Sequence, residues 1–539
     1  MKKEGKRDNS VRPTSERKGE KNMKKKVLSM FLTMTMVAGL ITGCGGSDEK
    51  TAGDKAATVG TETASGAEEG TKEAVIDFDE DPYQVDIQFT GLFEENNDIE
   101  KVEEALNAIT LEKINCTVHI VPTFIGDLPN NTSLAVAGGE KIDIVNVGLT
   151  QQMGAMVPDG LLLPLDDLLA ERGQAALAAT EGVAQAQKIN GVTYALSGYL
   201  YPAIASGFVY NKTMADEYGI DMHDGMTMED LSSAAEILKE HDVTLTTFGN
   251  SGSLNYKFWH SMDSFGDSAA YGAILDPANS TTIENVYASE EFLEFAKIIK
   301  EWNEAGYLPK EQLTDTTSVQ EYFGQQKVFG TATSYTPNAI ASWITPNFEV
   351  GIVKMSDGLI STSSVREFML GIASTCERPD KAMDLLNLIY SDAEVANLLQ
   401  YGVEGLDYVA VEGTENVITV EGTENAEHNG YYTGFCRFGD DMNHKIPAPL
   451  TDTYYDELKT FNDTANISKT FGYSFDASDY SAEAGAIASV LAEKLPMINS
   501  GDVEDVDVAV EELVSALQTA GIDDIIAANQ KQLDTYLAQ

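Results

Sequence analysis

Residues that can catalyse reactions occur throughout this chain, but the motifs that combine them do not. The sequence contains no His-Glu-x-x-His zinc motif, no Gly-x-Ser-x-Gly nucleophile motif and no phosphate-binding Gly-x-x-x-x-Gly-Lys-Ser/Thr loop. Its six histidines are scattered, so we predict no metal and no other cofactor. A glycoside hydrolase needs only two suitably spaced carboxylates, and 86 Asp and Glu residues leave that alternative open.

One residue near the start of the chain has a context that predicts covalent modification. Lys24, Lys25 and Lys26 precede an uncharged run, Val27 to Ile41, which has the length of a signal-peptide core and is too short for a permanent membrane helix. The run ends in Ile41-Thr42-Gly43-Cys44. Small residues directly before a cysteine resemble the lipobox at which bacterial lipoproteins are cleaved and lipidated.

We therefore expect residues 1–43 to be a signal peptide, with Met23 as a possible true start. Cys44 would then carry the lipid, for example palmitate. The alternative is an ordinary secretory signal that is cleaved near Gly43. Residues 44–82 are rich in small and polar residues and cannot bury enough surface to fold, which predicts a disordered tether.

Charge and cysteine content restrict the partners and the compartment. A formal charge of −50 excludes nucleic acid and anionic lipid head groups as partners. Besides Cys44 the chain has Cys116, Cys376 and Cys436, with no Cys-x-x-Cys pair. One disulfide among them is possible, and buried hydrophobic roles are the favoured interpretation.

Together with the lipobox and the tether, the sequence predicts a protein that is lipid-anchored at the outer face of a cell membrane, in a Gram-positive envelope.

The elements that follow the tether alternate between strands and helices. Residues 84–90, 117–121 and 142–147 have strand patterns, and 98–113 has the pattern of an amphipathic helix. This alternation of strands and helices predicts an α/β sheet with ligand-facing loops at the carboxyl ends of its strands. The remaining length exceeds what one hydrophobic core usually spans, so two lobes are expected.

Several ordered motifs resemble landmarks of family 1 extracellular solute-binding proteins, the receptors of ABC importers. They are Asn190-Gly-Val-Thr-Tyr-Ala-Leu196, Phe208-Val-Tyr-Asn-Lys212, Tyr218-Gly-Ile220 and Met226-Thr-Met-Glu-Asp-Leu231. Later motifs resemble LipO-type lipoproteins with the C-terminal domain of unknown function 3502. These are Tyr401-Gly-Val-Glu-Gly405 with Tyr408, Gly472-Tyr-Ser-Phe-Asp476 and Asn529-Gln-Lys-Gln-Leu-Asp-Thr-Tyr536.

The resemblance implies a two-lobed α/β fold of the periplasmic-binding-protein type II class, with hinge crossings and extra C-terminal helices. Lobe 1 is expected at 83–204 and 336–376, lobe 2 at 205–335 and 377–480, and a helical segment packed on a lobe at 481–539. The first crossing is expected near Tyr199 to Ala205 and the second near Ser334 to Pro337. A return to lobe 2 is expected around Thr375 to Pro379.

A cleft that binds sugars needs aromatic rings to stack on pyranose C–H faces and fixed polar groups to pair the hydroxyls. The aromatic candidates lie near the expected crossings or in a loop of lobe 2, and the polar candidates follow strands or stand beside an apolar strand. The predicted ligand-binding residues are Glu94, Gln151, Tyr199, Tyr256, Trp259, Tyr335, Trp343 and Arg366. An internal acidic partner is the alternative for Arg366, and core packing is the alternative for the tryptophans. Trp302 is expected to pack.

The function that the resemblance implies is capture of a carbohydrate, an oligosaccharide, and its delivery to the transmembrane subunits of an ABC permease. The protein is expected to be a monomer and not an enzyme. A surface glycoside hydrolase and a peptide-binding receptor of the same fold are the alternatives.

Overall fold

The computed structural model describes residues 75–91, 98–248, 262–265, 269–315, 317–423, 431 and 436–538. These residues fall in one unit, Gly70–Gln539. Within these ranges no helix is long and apolar enough to span a bilayer. The same ranges contain no cluster of His, Cys, Asp and Glu arranged to hold a metal ion.

The β-strands are numbered in chain order. They are β1 (Tyr83–Gly91), β2 (Cys116–Phe124), β3 (Ile144–Gly148), β4 (Lys188–Ile189), β5 (Val192–Thr193), β6 (Ala195–Ser197), β7 (Ala205–Asn211), β8 (Asp263–Ser264), β9 (Ala273–Ile274), β10 (Gly330–Tyr335), β11 (Val350–Lys354), β12 (Leu359–Ile360), β13 (Phe368–Ile372), β14 (Val409–Ala410), β15 (Val417–Thr419), β16 (Ile446–Pro447) and β17 (Asn466–Ile467).

The α-helices are numbered in the same way. They are α1 (Ile99–Ile114), α2 (Leu128–Gly138), α3 (Met153–Met156), α4 (Asp166–Arg172), α5 (Gln174–Ala179), α6 (Lys212–Tyr218), α7 (Met228–Glu240), α8 (Glu290–Ala305), α9 (Val319–Gly324), α10 (Thr362–Val365), α11 (Pro379–Ser391), α12 (Ala393–Tyr401), α13 (Tyr454–Asp463), α14 (Ser481–Asn499), α15 (Val506–Thr519) and α16 (Ile522–Leu537).

Lobe 1 is built on a five-stranded sheet in the order β2-β1-β3-β13-β6. β1 is parallel to β2 and β3, whereas β13 is antiparallel to β3 and β6. Successive side chains of a strand point to opposite faces, so Phe368, Leu370 and Ile372 of β13 enter one apolar cluster and Met369 enters another. Helices α1, α11 and α12 cover the first face and α3 covers the second. The sheet is therefore buried on both sides, which explains its apolar strands.

Lobe 2 is built on a three-stranded antiparallel sheet in the order β10-β7-β11. Its core also contains α7 and α8, and the C-terminal helices α14, α15 and α16 pack into that same core. Trp302 on α8 is buried and donates a hydrogen bond from Nε1 to Ser232 Oγ at 2.7 Å. The prediction that Trp302 packs in a core is confirmed.

Among the described residues, three segments cross between the lobes, at 198–204, 355–367 and 454–468. They meet in a small ribbon made by Ile204, β12 and β17, which we call the hinge ribbon. Ile204 and Leu359 exchange two backbone hydrogen bonds of 3.0 and 2.8 Å, and β12 is parallel to β17. Because all three crossings are hydrogen-bonded at this place, a change in lobe orientation has to bend the ribbon.

The lobe boundaries differ from those expected. β11 pairs with β7 in lobe 2, so residues 336–354 do not belong to lobe 1, and the second crossing lies at 355–367 rather than near Ser334 to Pro337. Helix α11 packs against the lobe 1 sheet, so the chain does not return to lobe 2 around Thr375 to Pro379. The return occurs at 454–468, a segment that contains α13 and β17. Pairing of β11 with a distant strand and the burial of α11 are tertiary effects that local patterns do not encode.

The three remaining cysteines behave as small hydrophobic residues. Cys116, Cys376 and Cys436 are free and buried, and no disulfide joins them. Burial raises the pKa of the Cys116 and Cys436 thiols to about 12. The favoured interpretation of these residues as buried hydrophobes is confirmed.

Candidate ligand-binding site

A cavity of about 470 Å³ lies where the crossings meet, and both lobes contribute to its wall. Small hydroxyl and aliphatic side chains dominate the lining, together with one cation, one carboxylate and one amide. The lining residues are Leu149, Gln152, Ile204, Ala205, Ser206, Met262, Ser264, Ser334, Leu359, Ser361, Ser363, Ser364, Arg366 and Glu367. An interlobe cavity that is rich in hydroxyl groups suits a polar ligand with many hydroxyls of its own.

The segment Ser361 to Glu367 supplies more of this lining than any other segment, and we call it the cleft floor. Its turn is fixed by a capping box, in which Ser364 N donates to Ser361 Oγ and Ser361 N donates to Ser364 Oγ. Ser361 and Ser363 also share a hydrogen bond of 2.8 Å between their hydroxyls. The local serine pattern thus pre-forms the floor.

Arg366 is the cation of the cleft floor and is 7% exposed. Its Nε donates to Ala186 O at 2.6 Å, and its Nη2 donates to Lys188 O at 2.9 Å. Burial lowers the pKa of Arg366 to about 10, so the guanidinium stays charged at neutral pH. The hydrogen-bond acceptors of Arg366 in the described residues are backbone carbonyls rather than the acidic side chain considered from the sequence. Two carbonyls hold the guanidinium at the cavity wall.

The loop after β3 presses against the cleft floor. Leu149 has a positive φ of 51°, and its N–H donates to Glu367 O at 3.0 Å. Gly148 has a φ of 101°, and a Cβ at this position would lie 2.6 Å from Glu367 O and closer still to Arg366 O. Only glycine permits this approach without displacement of the floor. A left-handed non-glycine residue beside such a glycine is the kind of strain that collects at binding sites.

Comparison with known proteins gives the family. The family described as bacterial extracellular solute-binding protein matches residues 97–396, which is more than half of the chain. The chain belongs to the bacterial extracellular solute-binding protein family. The domain of unknown function DUF3502 matches residues 469–538, which include α14, α15 and α16. The family and the C-terminal domain predicted from the sequence motifs are therefore confirmed.

Relatives of this solute-binding protein include a carbohydrate ABC transporter substrate-binding protein of Streptococcus pneumoniae. It is 26% identical over 444 residues, which cover 80% of this chain and 87% of the relative. A crystal structure of the N-glycan transport solute-binding protein NgtS from S. pneumoniae superposes with a TM-score of 0.75 at 23% identity, over 85% of this chain and 99% of that chain. NgtS in complex with Man1GlcNAc gives a TM-score of 0.67 at 23% identity, over 85% and 100% of the two chains. The predicted two-lobed α/β fold with extra C-terminal helices is confirmed.

In this solute-binding protein the predicted polar residues separate into two groups. Arg366 lines the cavity, whereas Gln151 is buried beside it and donates from Nε2 to Asn146 O at 2.6 Å. The next residue, Gln152, reaches the cavity wall instead. Glu94, Tyr256, Trp259 and Cys44 lie outside the described residues.

The described aromatic candidates pack against protein groups. Tyr199 lies beneath the Arg437 guanidinium, with 5.8 Å between Cζ and the ring centre. Tyr335 meets Phe461 edge to face at 5.5 Å, and Trp343 meets Phe323 in the same way at 5.7 Å. None of the three is among the described residues of the cavity wall. Their roles in ligand binding stay predictions.

The residues missed from the sequence are mainly hydroxyls. Ser206, Ser334, Ser361, Ser363 and Ser364 line the cavity, together with Glu367. The sequence does contain a signal for the floor, because Ser361-Thr-Ser-Ser364 follows a short apolar pair and is separated from Arg366 only by Val365. Nothing in the local sequence indicates that Ser206 and Ser334 would come together with it.

A second group of charged and aromatic side chains lies next to the first crossing. It consists of Tyr199, Arg437, Asp440, Asp441 and His444. Burial and the neighbouring Asp440 raise the pKa of Asp441 to about 7, against the opposing effect of Arg437. Burial lowers the pKa of His444 to about 4. Burial thus favours the protonated acid of Asp441 and the neutral imidazole of His444.

Proposed function

We propose that this protein is the substrate-binding component of an ABC transporter and captures a carbohydrate, an oligosaccharide, between its lobes. The observation that carries this proposal is the hydroxyl-rich interlobe cavity at the hinge ribbon, with Arg366 and Glu367 in its floor. Ligand contacts to both lobes stabilise a closed state, and a permease recognises that state. The relative named as a carbohydrate ABC transporter substrate-binding protein supports the choice of ligand class.

We propose further that the protein returns its ligand uncleaved. Within the described part of the cavity wall, Glu367 is the one carboxylate. Glycoside hydrolases need two, about 5 to 9.5 Å apart across the scissile bond. A binding role needs no second carboxylate.

The test is a thermal-shift screen of the mature chain with Cys44→Ser against oligosaccharides, monosaccharides and peptides, followed by product analysis of each hit. A ligand at 100 times its Kd should stabilise the fold by about 2.7 kcal/mol. Stabilisation by an intact oligosaccharide is the expected result. Stabilisation by peptides alone would support a peptide receptor, and a cleaved sugar would support a hydrolase.

The lipid anchor is a proposal that rests on the sequence around Cys44. Thioether-linked diacylglycerol at Cys44, with residues 44–82 as tether, would hold the monomeric binding protein at the outer face of the membrane. Cys44→Ser should move the protein from the membrane fraction to the medium and abolish labelling with palmitate. The matched change Cys116→Ser alters a buried thiol and should leave both unchanged. Membrane retention of Cys44→Ser would show that another feature anchors the chain.

A further inference from the structure

The C-terminal domain, residues 469–538, packs mainly into the core of lobe 2, yet its two ends also reach the cleft floor. Its first residues leave the hinge ribbon through Phe471 and Gly472, and its last helix, α16, ends near Tyr536. Tyr536 Oη donates to Phe471 O at 2.9 Å. The two ends of the domain are thus tied to each other beside the floor.

The Phe471 side chain inserts into a small apolar cluster underneath the floor. This cluster consists of Val183 and Ala186 from lobe 1 and Val365 from α10, all fully or nearly fully buried. Ala186 also provides the carbonyl that accepts from Arg366 Nε. The same apolar contact therefore supports both the α10 turn and the backbone that holds the guanidinium.

Gly472 adds a direct hydrogen bond to the floor. Its N–H donates to Thr362 Oγ1 at 2.8 Å, and Thr362 O accepts from Arg366 N at 3.1 Å. Gly472 has a φ of +93°, and a Cβ there would lie 2.5 Å from Tyr536 Oη and 3.0 Å from Gln185 Cβ. Glycine thus allows α16, the floor and the lobe 1 segment around Gln185 to meet at one point.

We propose that Tyr536, Phe471 and Gly472 are positioning residues through which the C-terminal domain fixes the geometry of the cleft floor. They do not line the cavity. They act through Thr362 and Val365 on the serine hydroxyls and on Arg366, which do line it. The consequence for ligand affinity rests on the proposed function, whereas the positioning of the floor does not.

The first test measures amide hydrogen exchange of residues 361–367 in the ligand-free mature chain. Tyr536→Phe removes one hydroxyl and leaves the ring packing intact. Tyr322→Phe is the matched control, because its hydroxyl bonds to Asp315 in lobe 2, away from the floor. Exchange in 361–367 should rise about fivefold in Tyr536→Phe, the effect expected for one lost hydrogen bond, and should not rise in Tyr322→Phe. Equal exchange in the two variants would overturn the proposal.

A second pair of variants tests the Gly472 contact from the floor side. Thr362→Val removes the acceptor for Gly472 N, whereas Thr362→Ser keeps a hydroxyl. Exchange in 361–367 should rise in Thr362→Val and return towards the wild-type rate in Thr362→Ser. No rise in Thr362→Val would show that the hydrogen bond does not position the floor.

The second property to measure is the affinity for the best oligosaccharide from the screen, which a purely structural role of Tyr536 would not change. Tyr536→Phe should weaken binding about fivefold, with less than additive loss when combined with Arg366→Lys because both act on one floor. Tyr322→Phe should bind as the wild type does. If the wild type binds no carbohydrate, the proposed function fails, and the exchange experiment still decides whether the C-terminal domain positions the floor.

Discussion

Arg366 is the side chain whose surroundings best explain the chemistry of the cleft. Its guanidinium uses two N–H groups on backbone carbonyls, and its remaining donors can serve a ligand. A buried cation that is held in this way is fixed before the ligand arrives. Pre-organised donors lower the entropic cost of binding.

Arg366→Lys should weaken carbohydrate binding about tenfold and lower the free energy of unfolding by about 2 kcal/mol, because a single ammonium cannot hold both carbonyls. Calorimetric titration and urea unfolding measure the two effects. Arg172→Lys is the matched control, since Arg172 pairs with Asp384 in lobe 1 and does not line the cavity. It should lower stability without a change in affinity. Equal affinity in both variants would show that Arg366 does not contribute to carbohydrate binding.

Asp441 makes stability depend on pH. Its pKa of about 7 in the folded protein lies above the ordinary value, so folding favours the protonated acid. The contribution of Asp441 to the free energy of unfolding is therefore fully present below about pH 4 and is lost as the pH rises towards 7. Asp441→Asn should therefore raise the free energy of unfolding by about 1 to 3 kcal/mol at pH 8 and lose this advantage at pH 4. Unfolding curves at the two pH values test this, and an equal effect at both would contradict it.

The loop after β3 was predicted from the sequence to face the ligand, and of its two glutamines Gln152 lines the cavity, while the predicted ligand role of Gln151 stays a prediction. Gln151 folds back onto Asn146 because the loop turns sharply at Gly148 and Leu149, and Gln152 takes the cavity position. The direction of a side chain in such a turn depends on backbone angles that residue types alone do not determine. Arg366 was a candidate because it is one of few arginines and stands beside an apolar strand, and it lines the cavity, while its contact with a ligand stays a prediction.

At the scale of elements, the strained loop between β3 and α3 links the lobe 1 sheet to the cleft floor. Its glycine faces the backbone of Arg366 and Glu367, so an added methyl group has no free space. The loop can present Gln152 to the cavity only while this approach is kept.

Gly148→Ala should lower the free energy of unfolding by about 3 kcal/mol, because it combines a positive φ with a backbone clash. Gly160→Ala is the control: Gly160 also has a positive φ, of +67°, but a Cβ there meets open space. It should cost about 1 kcal/mol. Urea unfolding of both variants provides the comparison, and equal losses would mean that the contact with the floor carries no strain.

The order of strands and helices could be predicted well for lobe 1, since its β-α-β rhythm repeats over the first three strands. The crossings after residue 330 could not be predicted from the sequence. The pairing of β11 with β7 rather than with the other sheet is decided by packing, which a local pattern does not show. Helix α11 is amphipathic in either lobe, so its sequence does not select one.

At the scale of the whole molecule, three crossings meet in one hinge ribbon, and the cavity lies at that ribbon between the two lobes. The C-terminal domain follows the third crossing directly and touches the floor as well as lobe 2. The resemblance of the motifs predicted the two-lobed architecture. It gave no indication that the domain of unknown function supports the floor, because that contact depends on backbone atoms at Phe471 and Gly472.

The proposed function requires the carbohydrate to bind intact in the interlobe cavity, so a variant that fills the cavity should not bind it. Ser363→Trp places an indole in the cleft floor from an exposed position, and Ser489→Trp places the same group on the exposed surface of α14. Calorimetric titration with the best oligosaccharide should show a loss of at least about 100-fold in affinity for Ser363→Trp, or about 2.7 kcal/mol. Ser489→Trp should bind as the wild type does. Unchanged affinity in a folded Ser363→Trp variant would show that the carbohydrate does not bind in this cavity.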